Sequence, residues 1–189
     1  MDAANHRRQP LRLPAYDYSQ PGAYFITICT HQRHCLLGEV VDDRMHLSEA
    51  GQVTAQTWQW LSTRHPHVEL DLYVIMPNHL HGVVLLHHNA GCTVPRTPDV
   101  TRGSGRQKSL GRLIAAFKTV STQRINALQG TPHAPVWQRD YYEHVIRNDD
   151  SLCRIRDYIA NNPTSWALDR ENPDAVPGPE APHEIAPPP

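Results

Sequence analysis

Two runs of strand-forming residues flank a single Pro-Asn step, and no other feature limits the fold as tightly. Residues 68–76 (VELDLYVIM) and residues 79–86 (HLHGVVLL) are dense in Val, Ile, Leu and Tyr, and Pro77-Asn78 interrupts them as a turn does. Alternation along the second run puts His79 and His81 on one face, about 7 Å apart. Two imidazole nitrogens at that spacing can converge on one cation, while Leu80 points to a core on the other side. Val74, Met76 and Val84 are expected to share the Leu80 face. Imidazole suits Zn, Mn, Fe and Ni, and tolerates Mg-type sites where a substrate supplies oxygens. With 13 histidines in the chain, chance pairs occur. His65 and His67 form one around Pro66 and are given no role, so the H-x-H spacing needs support from other residues.

The remaining segments extend the pattern. Residues 24–30 (YFITICT) predict a strand, and residues 35–41 a second short one before a turn at Asp42-Asp43. Ser48 is placed to cap a helix over 49–63, which His65-Pro66 ends. Leu110, Leu113, Ile114, Phe117, Ile125 and Leu128 outline the apolar face of another helix. Residues 136–146 allow a short strand or an ordered loop. Asp149 or Asp150 can cap a third helix that buries Leu152, Ile155 and Ile159, and Pro163 biases Asn162 toward an extended backbone at its end. Strands and helices mixed in this order predict an α+β fold, a ferredoxin-like antiparallel sheet with helices packed on it.

Of the 189 residues, 39% are hydrophobic, below the usual 45–50% or so, and much of the deficit lies at the C-terminus. The expected division is an arm over 1–21, one domain over 22–168 with a long loop at 88–107, and a disordered Pro-rich tail over 169–189. Cys29, Cys35, Cys92 and Cys153 form no C-x-x-C pair, which argues against a zinc knuckle or a disulfide framework. No run is long enough to span a membrane, so a cytoplasmic, nucleoid-associated protein is expected. The net charge of −1 announces no nucleic-acid partner. Its distribution says more: Arg102, Arg106, Lys108, Arg112, Lys118 and Arg124 fall in one segment without an Asp or Glu. Such a stripe can contact phosphates or form a solvated helix face.

Tyr158 is the second chemical candidate. On a helix, Arg154, Tyr158 and Asn162 share a face at i, i+4 and i+8, distinct from the face of Leu152, Ile155 and Ile159. A phenol beside a cation can act as a nucleophile. The bland alternative is a half-buried tyrosine at a helix–sheet contact, with Asn162 as a helix cap.

Residues 72–82 (LYVIMPNHLHG) closely resemble the signature strand of the HUH single-tyrosine transposases of bacterial insertion sequences. Residues 137–147 (WQRDYYEHVIR), Asp157-Tyr158-Ile159 and Asn162-Pro163 resemble the REP-associated tyrosine transposases in particular. Pro21 to Thr27 is similar to their first strand, and Phe117-Lys118 to their lysine-bearing helix. The resemblance spans about residues 8–166. It implies a ferredoxin-like fold in which His79 and His81, with Asn162 as third ligand, bind Mg or Mn. It further implies that Tyr158 cleaves single-stranded DNA beside a hairpin, leaving a 5′-phosphotyrosine and a free 3′-hydroxyl, in a monomer or homodimer. Arg112, Lys118, Arg124, Arg139 and Arg154 are the expected DNA contacts. Tyr141 and Tyr142 are rival nucleophiles by residue type only, since the family position is the helix tyrosine before Asn-Pro. Two other readings are a hairpin-binding protein without catalysis, and a metallohydrolase built on His79, His81 and His144.

Overall fold

The structure, a computed structural model, describes residues 16–88, 108–169 and 171–175. Its elements run β1 (Gly22–Cys29), β2 (Gly38–Val41), β3 (Arg44–Leu47), α1 (Glu49–Arg64), β4 (Val68–Met76), β5 (His79–Leu86), α2 (Leu110–Gln129), β6 (Tyr142–Ile146) and α3 (Asp149–Ser165). Four strands form one sheet in the order β4-β5-β1-β6, with every neighbouring pair antiparallel. The order β1-α1-β4-β5-α2-β6 is the ferredoxin-like β-α-β-β-α-β arrangement. β2 and β3 pair separately across Asp42-Asp43, both of which adopt positive φ (48° and 59°), as a tight two-residue hairpin turn requires. β3 was not foreseen, because four residues containing Arg and His carry little strand signal.

The central hairpin closes on Pro77-Asn78, pairing Met76 with His79 and Val74 with His81. That register corrects one expectation. Directly paired residues share a face, so Val74 and Met76 lie on the histidine side, and only Leu80 and Val84 lie opposite. A two-residue turn pairs even numbers with odd ones, which reverses the parity across it.

The sheet is buried on both faces. Tyr24, Ile26 and Ile28 of β1 join Leu80, Val84 and Leu86 of β5 beneath Trp58 and Leu61 of α1 and Leu113, Ile114 and Phe117 of α2. On the other face Phe25, Val83 and Ile146 pack against Ile155 and Ile159 of α3. Each of these buried side chains stabilises by about 1.5–3 kcal/mol relative to exposure, which is ample to fix α3 in register. Trp58 lies fully buried beneath β5 at Gly82, where there is room for its ring only because that residue has no side chain.

The helix ends follow local chemistry. Ser48 Oγ accepts the Gly51 N–H at 3.1 Å. α2 closes on Gly130 in the left-handed region (φ 66°). The cap of α3 is Asn148, whose Oδ1 accepts the Ser151 N–H at 2.8 Å, rather than Asp149 or Asp150. Those two acids occupy the first turn, where the helix dipole favours them. Nor does Pro163 end α3: the helix runs on to Ser165 and a 3-10 turn over Trp166–Leu168. Asn162 therefore stays helical, held by burial (3% exposed).

Tyr16, Tyr18, Asp169 and Glu171 contact the body of the domain. Tyr16 and Tyr18 of the arm pack on Tyr24, with ring centroids 6.5 and 6.1 Å away. The segment read as tail begins folded: Asp169 is buried, and Glu171 pairs with Arg33. Residues 1–15, 89–107, 170 and 176–189, including Arg102, Arg106 and most of the expected long loop, lie outside the described residues.

Candidate active site

β5 delivers both histidines to the face covered by α3, and α3 delivers Tyr158 and Asn162 to the histidines. The His79 and His81 rings lie 4.5 Å apart. The Tyr158 hydroxyl is 3.2 Å from His81 Nε2, and its ring meets Phe25 edge-on at 6.1 Å. Phe25 stacks on His81 at 5.4 Å and stiffens it from the side. Asn162 lies against both His79 and Tyr158 and biases the ionisation of each, yet its Oδ1 makes no bond of hydrogen-bonding geometry.

Hydrogen bonds fix which nitrogen of His79 carries the proton. The Asn78 amide nitrogen donates to the carbonyls of Arg33 and Glu171, which can only accept, so its Oδ1 must face His79. That oxygen lies 2.8 Å from His79 Nδ1 and accepts its proton, leaving a lone pair on Nε2. His81 lies between two hydroxyls, Tyr158 at 3.2 Å from Nε2 and Thr27 Oγ1 at 2.8 Å from Nδ1, each of which can donate or accept. Partners on the far nitrogen are how proteins orient imidazole ligands.

Burial sets the charges. It holds His79 down at about 4, against an Asn162 contact that works the other way, and holds His81 well below the ordinary histidine value. Both rings are neutral at pH 7, the form that binds metal. Burial pushes the Tyr158 phenol up to about 12, and the Asp169 carboxylate adds to the rise. Among the described residues His79 Nε2 and Asn162 Oδ1 are buried without a hydrogen-bond partner. The unpartnered His79 Nε2 and Asn162 Oδ1, beside the neutral His81 ring, are groups that a small divalent cation would satisfy, so the donor set fits one.

The other expected site residues are not gathered here. Arg112, Lys118 and Arg124 belong to α2, on the opposite face of the sheet. Arg124 donates to Thr57 of α1 at 3.3 Å. The Lys118 ammonium donates to the carbonyls of Gln138, Arg139 and Asp140 at 2.9, 3.3 and 3.0 Å, which uses all three of its protons. It clamps the segment leading into β6, and burial lowers it to about 8. Arg139 is exposed on that segment, and Arg154 is exposed one turn before Tyr158. His144 pairs with Phe25, two strand spacings (about 10 Å) from β5, too far to join His79 and His81 as a ligand.

Three contributors escaped the sequence reading. Asn78 stood beside His79 in the motif but counted only as a turn residue. Thr27 sat in a run read purely as strand. Asp169 fell in the segment assigned to the tail, and nothing local marks it.

No family model matches the chain. An uncharacterized protein of Haemophilus influenzae is 36% identical over 173 residues, covering 89% of this chain and 95% of its own. The chain belongs to that protein's family. Among solved structures, a REP-associated tyrosine transposase bound to a REP hairpin superposes with a TM-score of 0.55 at 20% identity, over 82% of this chain and 73% of that one. This family member thus has the fold of a REP-associated tyrosine transposase, in agreement with the motifs read from the sequence. Among the described residues no helix is long and apolar enough to cross a membrane.

Proposed function

We propose that the chain is a metal-assisted DNA transposase that cleaves and rejoins single-stranded DNA near hairpins, with Tyr158 as nucleophile. The observation that carries this reading is the Tyr158 hydroxyl 3.2 Å from His81 Nε2, next to the buried, unpartnered His79 Nε2 and Asn162 Oδ1. Magnesium or manganese held by His79, His81 and Asn162 would polarise a nonbridging phosphate oxygen and offset charge in the transition state. Asn78 holds His79 in the tautomer that presents Nε2, and Thr27 engages the far nitrogen of His81. Phe25 and Ile159 exclude water from the phenol's flank, which favours attack by tyrosine over hydrolysis.

In the cleavage step the Tyr158 oxygen bonds to phosphorus and the bond from phosphorus to the 3′-oxygen breaks. The phenolic proton is lost and the departing 3′-oxygen gains one, so the proton count is unchanged. A 5′-phosphotyrosine conserves the energy of the broken bond, and attack by a 3′-hydroxyl reverses it without ATP. The DNA partner in this reading agrees with the hairpin carried by the structure of similar fold.

The test is a covalent-adduct assay with labelled single-stranded DNA flanking the coding region, with manganese or magnesium, on a denaturing gel. A shifted band that vanishes in Tyr158→Phe and in His79→Ala is the expected result. Hairpin binding on a native gel without any adduct would replace this reading with that of a binding protein.

A further inference from the structure

We propose that Tyr142 and His144 form a base-stacking floor for the single strand that enters the Tyr158 site. The inference rests on the DNA reading above and adds the residues that grip the substrate's bases. It begins with strand register. On the face of the sheet that carries the histidines, Tyr142 of β6 is paired with Thr27 of β1, and Thr27 with His81 of β5. One step along, His144 is paired with Phe25, and Phe25 with Val83. Tyr142 and Tyr158 therefore flank the same ring, at 6.3 and 6.1 Å from Phe25.

α3 covers this part of the sheet only in part, its Ile155 and Ile159 reaching Phe25 and Ile146. Its Arg156 is tied to Asp71 of β4 by two bonds of 3.0 and 2.6 Å, which draws the helix toward the opposite edge. Thr27, Cys29, Tyr142 and His144 are left half-buried, as a floor beside the nucleophile. On β6 the inward-facing Glu143 and Val145 are buried more deeply than Tyr142 and His144, so the fold draws its burial from the other side of the strand. Among the described residues β6 is also the edge of the sheet.

The charge around the floor suits a polyanion. Arg147 is exposed and close enough to His144 to act on its charge, and Arg154 is exposed on the side of α3 that presents Tyr158. Burial, then Arg147, lowers the His144 pKa, so its ring is neutral and offers a π face rather than a charge. Bases stack on such rings with little regard to sequence, while arginines track the backbone.

The test uses fluorescence anisotropy in EDTA, so that no cleavage or metal contributes. The probes are an oligothymidylate of about a dozen nucleotides and an abasic sugar-phosphate chain of the same length. Wild-type protein is expected to prefer the thymidylate roughly ten-fold or more, the scale of base–aromatic stacking. Tyr142→Phe keeps the preference. Tyr142→Leu, which retains apolar bulk without a ring, and His144→Ala each lose most of it while remaining folded by circular dichroism. Equal affinity of the wild type for both probes, or a full preference in Tyr142→Leu and His144→Ala, would overturn the proposal. The adduct assay separates it from the function beneath it. An adduct with no base preference removes the stacking floor alone. A base preference that depends on Tyr142, without an adduct, supports the floor and removes the cleavage chemistry.

Discussion

Gly82→Ala tests how the histidine strand is seated. A Cβ at position 82 would stand 2.8 Å from Trp58 Cζ2 and 3.2 Å from Tyr73 Cβ. Carbon atoms separated by less than about 3.5 Å repel, so either the strand or the indole must move. Trp58 cannot retreat, being fully buried and edge-on against Phe117 at 5.2 Å. Overpacking of this kind costs about 1–3 kcal/mol. Alanine recovers about 0.4–1 kcal/mol by stiffening the unfolded chain, because position 82 is not in the positive-φ region. The net loss is about 1–2 kcal/mol, a fall in melting temperature of roughly 3–6 °C for a chain of this size. Thermal melts of Gly82→Ala, Trp58→Phe and the double variant isolate the contact. Cζ2 belongs to the indole and has no counterpart in phenylalanine, so the alanine penalty should largely vanish in the Trp58→Phe background. An equal penalty in both backgrounds, or none in either, would refute the reasoning.

Lys118→Met removes three charge-assisted bonds to carbonyls and should cost about 1–3 kcal/mol in urea unfolding. The salt dependence of DNA affinity should not change, whereas a phosphate contact would lower the slope by about one. Acid should act through His79. Its pKa falls from 6.5 to about 4 on folding, so its contribution is complete above pH 6.5 and is lost as the pH falls through 4. That difference amounts to about 3 kcal/mol, and His81 shifts in the same direction. Urea unfolding of wild type should therefore lose about that much more between pH 7 and 4 than unfolding of His79→Gln, and parallel losses would count against it.

The parts legible in the sequence are those that local patterning determines. β4 and β5 have the limits that their composition predicts, and α1 starts at its foreseen serine cap. The H-x-H face and the tyrosine helix also follow from periodicity, although nothing in the periodicity says that they meet. What escaped depends on distant partners. The side of Val74 and Met76 depends on the parity of a turn. α3 passes Pro163 because Asn162 is buried against His79, an interaction no propensity encodes. Lys118 reads as a surface charge until the carbonyls of Gln138, Arg139 and Asp140 come round to meet it.

The Asn78 amide ties together three remote stretches of the chain: a loop after the first strand, the central turn, and the residues that follow the last helix. A ribosome emits them in that order. While the last stretch is still inside the exit tunnel, His79 has its neighbour but not the carbonyl of Glu171 that steadies that neighbour. The correct tautomer is thus completed only after Tyr158 itself has emerged and the chain has folded back. A nascent or truncated polypeptide would carry His79, His81 and Tyr158 without the last contact that holds the Asn78 amide in place.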